Sequence, residues 1–351
     1  MILRTDRPAN LETPLKYFLL DYTPNDEFFV RWHLANLPDS ISPDTFHLRI
    51  GGNVTRQLAL SLEDLRTKFT PVTITALACC AGNARSFCDP GVPGGQWKNG
   101  AMGNARWTGV RLKDLLEMAG VKDGSIQVSF NGMDKPPYPT VPDFIKTLSL
   151  EHSMNEDVIV AYEMNGEPIP LLNGYPLKLI VPGWYATYWV GMLNEIRVYS
   201  EPFTGFWMTK SYLAPKGIYN ANEKPDSLAK DLVPISKIAV RSIFVSPEPD
   251  SILKAGKAIE IQGLAFDDGA GITKVEISSD SGLTWKQAKL DSSLGKYSWR
   301  RWRYNWTPAK AGVYTFKLRA TNAEGEVQPW YQWNRSGYAH NEIESLTLYV
   351  Q

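Results

Sequence analysis

The first two-thirds of the chain alternates short apolar runs with polar turns, a pattern typical of mixed α and β structure. Residues 46–50 and 126–130 alternate polar and apolar side chains, as half-buried strands do. Residues 110–120 place apolar side chains at helical spacing, and Gly120 suits the residue that ends a helix. We therefore predict two strands with a helix between them. Gly, Pro and Asn crowd residues 89–104, which predicts a long ordered loop of the kind that usually carries function.

The pattern changes near Ile238, where short alternating runs follow one another closely. These runs occupy residues 259–263, 274–278, 313–320 and 345–350. Several short strands at this spacing, separated by turn-forming sequences, predict an immunoglobulin-like β-sandwich. The predicted fold class is therefore α+β: a mixed α/β domain at residues 1–235, followed by the sandwich at 236–351. A segment rich in Pro, Lys and Asn, residues 214–237, is the predicted linker.

Composition and charge narrow the functional classes. With 351 residues, the chain is longer than one hydrophobic core usually serves, which supports two domains. Lys and Arg total 37, equal to Asp and Glu, so the basic excess of a nucleic-acid-binding protein is missing. Apolar runs fall short of the roughly 18 residues of a membrane span. The first residues lack the apolar stretch of a secretory signal, so the protein is cytoplasmic or an export leader has been removed.

Three cysteines, Cys79, Cys80 and Cys88, lie within ten residues of one another. An odd, clustered set is a poor disulfide framework and fits one functional thiol better. Residues 77–85 follow an apolar run and end at Arg85, so a thiol lies at a strand end beside a cation, which favours the metal-binding thiolate. An inert buried cysteine is the alternative on spacing alone. A Cys-x-x-Cys-His sequence is absent, so we expect no covalent c-type haem in this chain.

The sequence Cys-Ala-Gly-Asn-x-Arg at residues 80–85 resembles a segment of the sulfite oxidase family of molybdopterin enzymes. In that family, the cysteine of this segment is the sole protein ligand to molybdenum. The resemblance implies a single-pterin molybdenum cofactor bound through Cys80, with Arg85 as a cation of the substrate pocket. Cys79 and Cys88 would be bystanders. Arginine suits its role because a guanidinium binds oxyanions through paired, charge-assisted hydrogen bonds.

Further motifs occur in the family's order across residues 28–212. A Phe-Val-Arg-x-His sequence implies roles at both cofactor and substrate for Arg31 and His33. The family's Phe-x-Gly-x-Asp sequence ends here at Asp134, which implies a pterin contact, and a Trp and a Tyr five apart make Tyr212 the active-site tyrosine. The other cofactor contacts that the resemblance implies are Phe29, Trp32, Asn173, Lys178, Thr187 and Trp189.

The chain departs from the family at several positions. Asn173 and Lys178 stand where eukaryotic members have His and Arg, and both can still hydrogen-bond a phosphate. Gly191 stands where many members have a lysine that contacts the cofactor, so backbone amides would replace that contact or pterin binding would weaken. Ser336 stands at the position of a substrate-pocket arginine, with Arg335 one place earlier. On a strand, that displacement turns a side chain to the opposite face, so we do not count Arg335 as a site residue.

The resemblance, closest to the catalytic subunits of bacterial sulfite dehydrogenases, implies oxidation of sulfite to sulfate. Electrons would pass singly to a cytochrome c on a separate chain, and the C-terminal domain would support a homodimer. Export of folded, cofactor-loaded members by the twin-Arg route favours the periplasm, although the sequence shows no such leader. Three alternatives stay open: oxidation of another sulfur substrate presented by a partner subunit, nitrate reduction, and a degenerate member that has lost catalysis.

Overall fold

The computed structural model describes residues 1–216 and 223–351. Part of the predicted linker, residues 217–222, lies outside the described residues. On either side of that gap, Leu213–Pro215 and Leu232–Pro234 pair as antiparallel strands. The described ends of the segment therefore contact each other instead of running apart as an extended connection.

The polypeptide up to residue 234 is rich in short strands. In chain order, these are β1 (Ile2–Thr5), β2 (Asn10–Glu12), β3 (Val30–Arg31), β4 (Leu48–Gly52), β5 (Leu58–Leu60), β6 (Val72–Cys79), β7 (Met102–Arg111), β8 (Gln127–Gly132), β9 (Ile145–Ser149), β10 (Ile159–Met164), β11 (Glu167–Pro168), β12 (Lys178–Ile180), β13 (Leu193–Tyr199), β14 (Leu213–Pro215) and β15 (Leu232–Pro234). The helices are α1 (Leu62–Lys68), α2 (Leu112–Ala119), α3 (Leu150–Ser153) and α4 (Phe206–Thr209). Short 3-10 turns lie at Leu15–Leu19, Asn25–Glu27, Arg85–Phe87, Leu171–Asn173 and Ala186–Tyr188.

Helix α2 shows how the local sequence sets an element. Its buried face consists of Leu112, Leu115, Leu116 and Ala119. Gly120 ends the helix with a φ of 70°, a left-handed conformation that glycine adopts without steric cost. The helix predicted at residues 110–120 is confirmed, but it starts two residues later because Arg111 still belongs to strand β7.

Two five-stranded sheets form the body of this region. One has the order β11-β10-β7-β6, with β12 paired to β10, and the other has the order β5-β4-β13-β8-β9. The strands predicted at 46–50 and 126–130 are confirmed as β4 and β8, each displaced by one or two residues. The loop predicted at 89–104 was drawn too long: β7 begins at Met102, because its ladder with β6 outweighs the turn-forming composition there.

The C-terminal region contains only strands among its described elements. They are β16 (Arg241–Ser246), β17 (Ile252–Leu253), β18 (Ile259–Phe266), β19 (Ile272–Ser278), β20 (Lys286–Gln287), β21 (Lys289–Leu290), β22 (Arg300–Trp306), β23 (Gly312–Asn322) and β24 (Glu344–Val350). Two sheets, β16-β18-β22-β21 and β17-β24-β23-β19-β20, contribute to one apolar core that includes Phe244, Trp302 and Phe316. The four predicted strands are confirmed as β18, β19, β23 and β24. The other five strands of this region were not predicted.

The two regions contact each other directly. Leu77, on strand β6, donates its backbone N–H to Tyr297 O at 2.9 Å. The rings of Phe18 and Trp299 meet edge to face with centroids 5.1 Å apart. Strand β6, which leads to the site described below, is therefore held by both regions. Over residues 1–216 and 223–351, no helix is long and apolar enough to cross a lipid bilayer.

Candidate active site

The candidate metal-binding thiol lies where strand β6 ends. The ladder between β6 and β7 reaches Cys79, opposite Met102, and the next residue, Cys80, donates its backbone N–H to Ala101 O at 2.9 Å. Successive side chains of an extended chain point to opposite faces. Burial raises the pKa of the Cys79 thiol to about 12. Cys80 lines both of the cavities described below, whereas Cys79 lines neither of them. Of these two thiols, Cys80 is the one able to meet a ligand.

The first of these spaces, which we call the inner cavity, has an empty volume of about 710 Å³. Every residue predicted for the site except Arg85 lines it: Phe29, Arg31, Trp32, His33, Cys80, Asp134, Asn173, Lys178, Thr187, Trp189 and Tyr212. Motifs that are far apart in the sequence thus converge on one space.

The second space, the outer cavity, has an empty volume of about 1040 Å³. It shares four residues with the inner cavity: Arg31, His33, Cys80 and Tyr212. Arg85, the one predicted residue missing from the inner cavity, lines the outer cavity. The two spaces meet at Cys80, so a group bound to this thiol would be accessible from the outer cavity.

The polar groups of the inner cavity test whether it suits a pterin. Oδ2 of Asp134 and Oγ1 of Thr187 are buried and find no hydrogen-bond partner in the described part of the chain. Burial, together with the nearby charge of Asp143, raises the pKa of Asp134 to about 7. Because buried polar groups normally have partners, these two atoms suit the ring N–H and amino groups of a pterin.

Lys178 adds a positive charge to the same cavity. Its Nζ donates to Asn173 O at 2.8 Å, and burial lowers the pKa of Lys178 to about 8. No carboxylate pairs with it among residues 1–216 and 223–351. A cation without a counter-ion inside a cavity suits an anionic group such as the pterin phosphate. The residues of the inner cavity therefore fit a molybdopterin.

Gly191 also lines the inner cavity, and its surroundings explain why no lysine stands there. A Cβ atom at this position would lie only 2.9 Å from the Cα atom of Gly174 and 3.4 Å from the Trp32 ring. The backbones of the two glycines approach each other so closely that a lysine would require them to separate. The chain presents its backbone at this point, and Lys178 supplies the nearby cation.

Arg85 is held in place by backbone groups. Its Nε donates to Ser336 O at 2.9 Å and its Nη1 to Gly95 O at 3.1 Å. The guanidinium carbon lies 5.1 Å from the centroid of the Tyr338 ring. Cβ atoms would collide with the Arg85 side chain, at 2.7 to 2.8 Å, at three glycines that we call the glycine cradle: Gly82, Gly94 and Gly337. Sequence reasoning missed this cradle, because its members come from three separate segments.

The charges in the outer cavity decide what it attracts. The arginines that line it are Arg4, Arg31, Arg85 and Arg335. Arg4 and Arg335 form salt bridges with the buried carboxylates of Glu12 and Glu223. Within the described residues, Arg31 and Arg85 have no carboxylate partner; Nη1 of Arg31 donates instead to Asn10 Oδ1 at 3.3 Å. Two guanidinium groups without counter-ions suit a small oxyanion.

The expectation about Arg335 and Ser336 rested on a strand that does not exist. Both residues lie in a turn, so the argument from opposite faces was wrong, and both line the outer cavity. The Arg335 side chain is nevertheless occupied: its Nε donates to Glu223 Oε1 at 2.9 Å and its Nη2 to Ala229 O at 2.7 Å. Ser336 contributes its carbonyl oxygen to Arg85 rather than a side chain to the substrate side.

His33 and Tyr212 form a hydrogen-bonded pair beside Cys80. The His33 ring stacks on Phe144 with centroids 3.8 Å apart. Burial, and then the charges of Arg31 and Lys146, hold the pKa of His33 well below its usual value. Burial raises the pKa of Tyr212. Both groups are therefore neutral near pH 7, and in the tautomer with the His33 proton on Nε2 the tyrosine hydroxyl proton is available for a further hydrogen bond.

Sequence reasoning also missed three residues that complete the site. Phe144 supports His33, Tyr338 stacks on Tyr212 with centroids 5.1 Å apart, and Lys146 places its ammonium 5.1 Å from the Tyr212 ring centroid. The lysine was open to detection, because it is a charged residue within the otherwise apolar or hydroxylic run at 145–149. The described residues contain no group of three or more His, Cys, Asp or Glu able to hold a metal ion.

Comparison with known proteins identifies the family. The family model "Oxidoreductase molybdopterin binding domain" matches residues 34–207, and "Mo-co oxidoreductase dimerisation domain" matches residues 233–343. Mitochondrial sulfite oxidase of Rattus norvegicus is 33% identical over 99% of this chain and 65% of its own length. Sulfite oxidase of Gallus gallus is 30% identical over 93% of this chain and 72% of its own length. The chain spans about 65% of the length of the mammalian relatives it matches.

Among solved structures, the sulfane dehydrogenase SoxCD from Paracoccus pantotrophus superimposes with a TM-score of 0.83. It is 26% identical, and the match covers 98% of this chain and 85% of that one. The predicted fold class and the predicted class of enzyme, an oxidoreductase, are confirmed. The chain belongs to the sulfite oxidase family of molybdopterin-binding oxidoreductases.

Proposed function

We propose that the protein oxidises sulfite to sulfate at a molybdenum centre bound through Cys80. The observation that carries this proposal is the pair Arg31 and Arg85, which line the outer cavity beside Cys80 and have no carboxylate partner in the described chain. Sulfite is a small oxyanion, and guanidinium groups without counter-ions are suitable partners for it. Because the net charge of the chain is zero, attraction must come from this local arrangement.

Each residue of the site has a task in this proposal. Arg31 and Arg85 bind and orient the anion. Neutral His33, with its proton on Nε2, donates to the Tyr212 oxygen, which leaves the tyrosine hydroxyl proton for an oxygen of the substrate or product. Asp134 and Lys178 orient the pterin in the inner cavity. When bound, the molybdenum cofactor supplies oxygen-atom transfer and accepts two electrons.

The remaining parts of the proposal concern partners and location. Electrons leave singly to a cytochrome c on another chain, in line with the lack of a Cys-x-x-Cys-His sequence. A homodimer forms through the C-terminal domain, which we place at 236–351; the matching dimerisation-domain model supports this. The proposed location is the periplasm, by analogy with exported members of the family.

Oxidation of protein-bound sulfane sulfur is the second candidate. The similarity to a sulfane dehydrogenase over 98% of the chain favours it. The salt bridge between Arg335 and Glu223 also removes one positive charge from the outer cavity. This candidate requires a partner that presents the sulfur, whereas sulfite oxidation does not.

The first experiment compares wild type with Cys80→Ser and its matched neighbour Cys79→Ser, all expressed with molybdate. We expect near-stoichiometric molybdenum and sulfite-dependent reduction of cytochrome c in wild type and in Cys79→Ser. Cys80→Ser should lose the activity, because its hydroxyl cannot replace the thiolate as a soft ligand. Elemental mass spectrometry and absorbance at the cytochrome band measure the two quantities.

The other outcomes separate the alternatives. Molybdenum without sulfite oxidation, together with activity on a sulfur-carrying partner protein, would support the sulfane candidate instead. Well-folded wild type without molybdenum would support the degenerate, non-catalytic alternative. Equal activity in Cys80→Ser and Cys79→Ser would refute the assignment of Cys80.

A further inference from the structure

A lysine ammonium group is buried directly behind the candidate active site. Lys146, on strand β9, is fully buried. Its Nζ donates to the carbonyl oxygen of Trp207 at 2.7 Å and lies 4.6 Å and 5.1 Å from the ring centroids of Tyr188 and Tyr212. In residues 1–216 and 223–351, no carboxylate forms an ion pair with it. Its positive charge is therefore solvated by one carbonyl group and two aromatic faces.

Such a cation is costly to retain, because a buried charge without a counter-ion loses its hydration and gains little in return. Burial accordingly lowers the pKa of Lys146 to about 7. The contacts of Lys146 indicate where an anion would have to bind to offset its positive charge. Tyr212 and Trp207 both line the outer cavity beside Cys80, so the faces that hold the ammonium also border the space for the substrate.

We propose that Lys146 is a positioning residue that supplies a third positive charge to the anion site of Arg31 and Arg85, acting through Tyr212 and Trp207 and not by contact with the substrate. This inference rests on the proposed function, in which the substrate is an anion. In the ligand-free protein, the buried ammonium of Lys146 lowers the stability of the folded state. The negative charge of a bound anion offsets this cost.

The proposal predicts that anion binding takes up a proton. The titratable or charged groups facing this region are Tyr188, Tyr212, His33 and Arg31. The pKa values of both tyrosines are raised and that of His33 is lowered, so these groups stay neutral near pH 7; arginine stays charged. Above pH 7, ligand-free Lys146 is largely neutral, and a bound anion favours its protonated form.

Calorimetry of sulfate binding to oxidised, molybdenum-loaded protein tests this inference, because sulfate stays a dianion across the range. Titrations at about pH 7.5 in two buffers of different ionisation enthalpy report proton uptake. We expect uptake in wild type, and its loss in Lys146→Met with about ten-fold weaker binding. Lys146→Arg, which keeps a charge that does not titrate here, should bind as wild type does without taking up a proton. Lys257→Met, exposed in the C-terminal region, controls for net charge.

Stability and activity measurements distinguish failure of this inference from failure of the proposed function. Lys146→Met should melt at or above the wild-type temperature, because a methyl thioether loses nothing on burial. Undiminished sulfate affinity and proton uptake in Lys146→Met would overturn the inference while leaving the proposed function intact. A wild type that neither binds sulfate nor oxidises sulfite would instead refute the proposed function, and this inference with it.

Discussion

At the scale of single residues, Asp134 is a proposed cofactor-binding group that destabilises the folded protein when no cofactor is bound. Its carboxyl is buried, and Oδ2 finds no hydrogen-bond partner within the described residues. Its pKa is raised from 3.8 to about 7, mainly by burial. The stability associated with such a group is fully present below the unfolded pKa of 3.8 and is lost as the pH rises to the folded pKa of about 7, because in this range the unfolded chain releases a proton that the folded protein retains.

We therefore expect Asp134→Asn to stabilise the cofactor-free protein. At about pH 8 the gain should be roughly 2 kcal/mol, at 1.36 kcal/mol per pKa unit and allowing for relaxation. At about pH 3, below the unfolded pKa of 3.8, it should vanish, because Asp134 is then protonated in both the folded and the unfolded state. Urea unfolding at the two pH values measures the difference. The same variant should retain less molybdenum when loaded, and a variant with unchanged stability at both pH values would contradict this account.

Sequence reasoning located residues such as Cys80, Arg31 and Asp134 because each lies in a short motif. It did not locate Lys146 or the glycine cradle. The proposed role of Lys146 depends on its contacts with Tyr188 and Tyr212, which are distant in sequence. The glycine cradle likewise joins three separate segments of the chain. Contacts of this kind depend on packing, which local patterns do not record.

At the scale of elements, strands β1 and β2 form a hairpin that borders the outer cavity. Asn10, on β2, is buried and accepts a hydrogen bond from Arg31. Its amide donates to Thr5 Oγ1 at 2.6 Å and to Pro8 O at 3.0 Å. The hairpin therefore fixes the amide, and the amide holds the Arg31 guanidinium together with the carbonyl oxygen of Trp32. The hairpin lies outside residues 34–207, the range of the molybdopterin-domain match.

Changes at Asn10 should act on substrate binding through Arg31. Asn10→Ala removes one hydrogen bond to a charged group and should raise KM for sulfite about five-fold with little change in kcat. Asn10→Asp should raise KM further, because a carboxylate beside Arg31 competes with the anion. Asn53→Ala, whose amide bonds Ser125 instead, is the matched control. Steady-state kinetics with equal KM for the Ala and Asp variants would argue against this role.

The elements that the sequence predicted share a regular pattern, and the missed ones do not. Strand β22 contains three arginines and two tryptophans in seven residues, so its pattern does not alternate clearly. Its arginines are satisfied by pairing: Arg303 binds Asp291 and Arg301 binds Asp21. Local periodicity does not predict a strand whose polar side chains depend on partners that are distant in sequence.

At the scale of the whole molecule, Arg241 joins the two regions. This buried residue of β16 donates to Asn99 Oδ1 at 2.6 Å, in the loop before β7, and lies 3.5 Å from a carboxylate oxygen of Glu344. Burial raises the pKa of Glu344 to about 7 despite the nearby guanidinium. The interface therefore contains an ion pair whose carboxylate is only marginally stable in its charged form.

Removing the Arg241 guanidinium should destabilise the folded protein most at pH values where Glu344 is ionised. Arg241→Met should lower the free energy of unfolding by about 3 kcal/mol at about pH 8.5. The loss should be smaller at about pH 5.5, where Glu344 is protonated in the folded protein and needs no partner. Thermal unfolding at both values measures this. Adding Glu344→Gln should recover much of the loss at high pH; an equal loss at both pH values would show that packing alone is responsible.

The hydrogen bond between Arg85 and Ser336 spans 251 positions of the chain and links a proposed substrate-binding residue to the C-terminal region. Ribosomes synthesise residue 336 well after residue 85. Until then, the growing chain lacks the carbonyl group and the Gly337 wall that hold the guanidinium. The proposed anion site is therefore complete only once this part of the C-terminal region has been made and has docked.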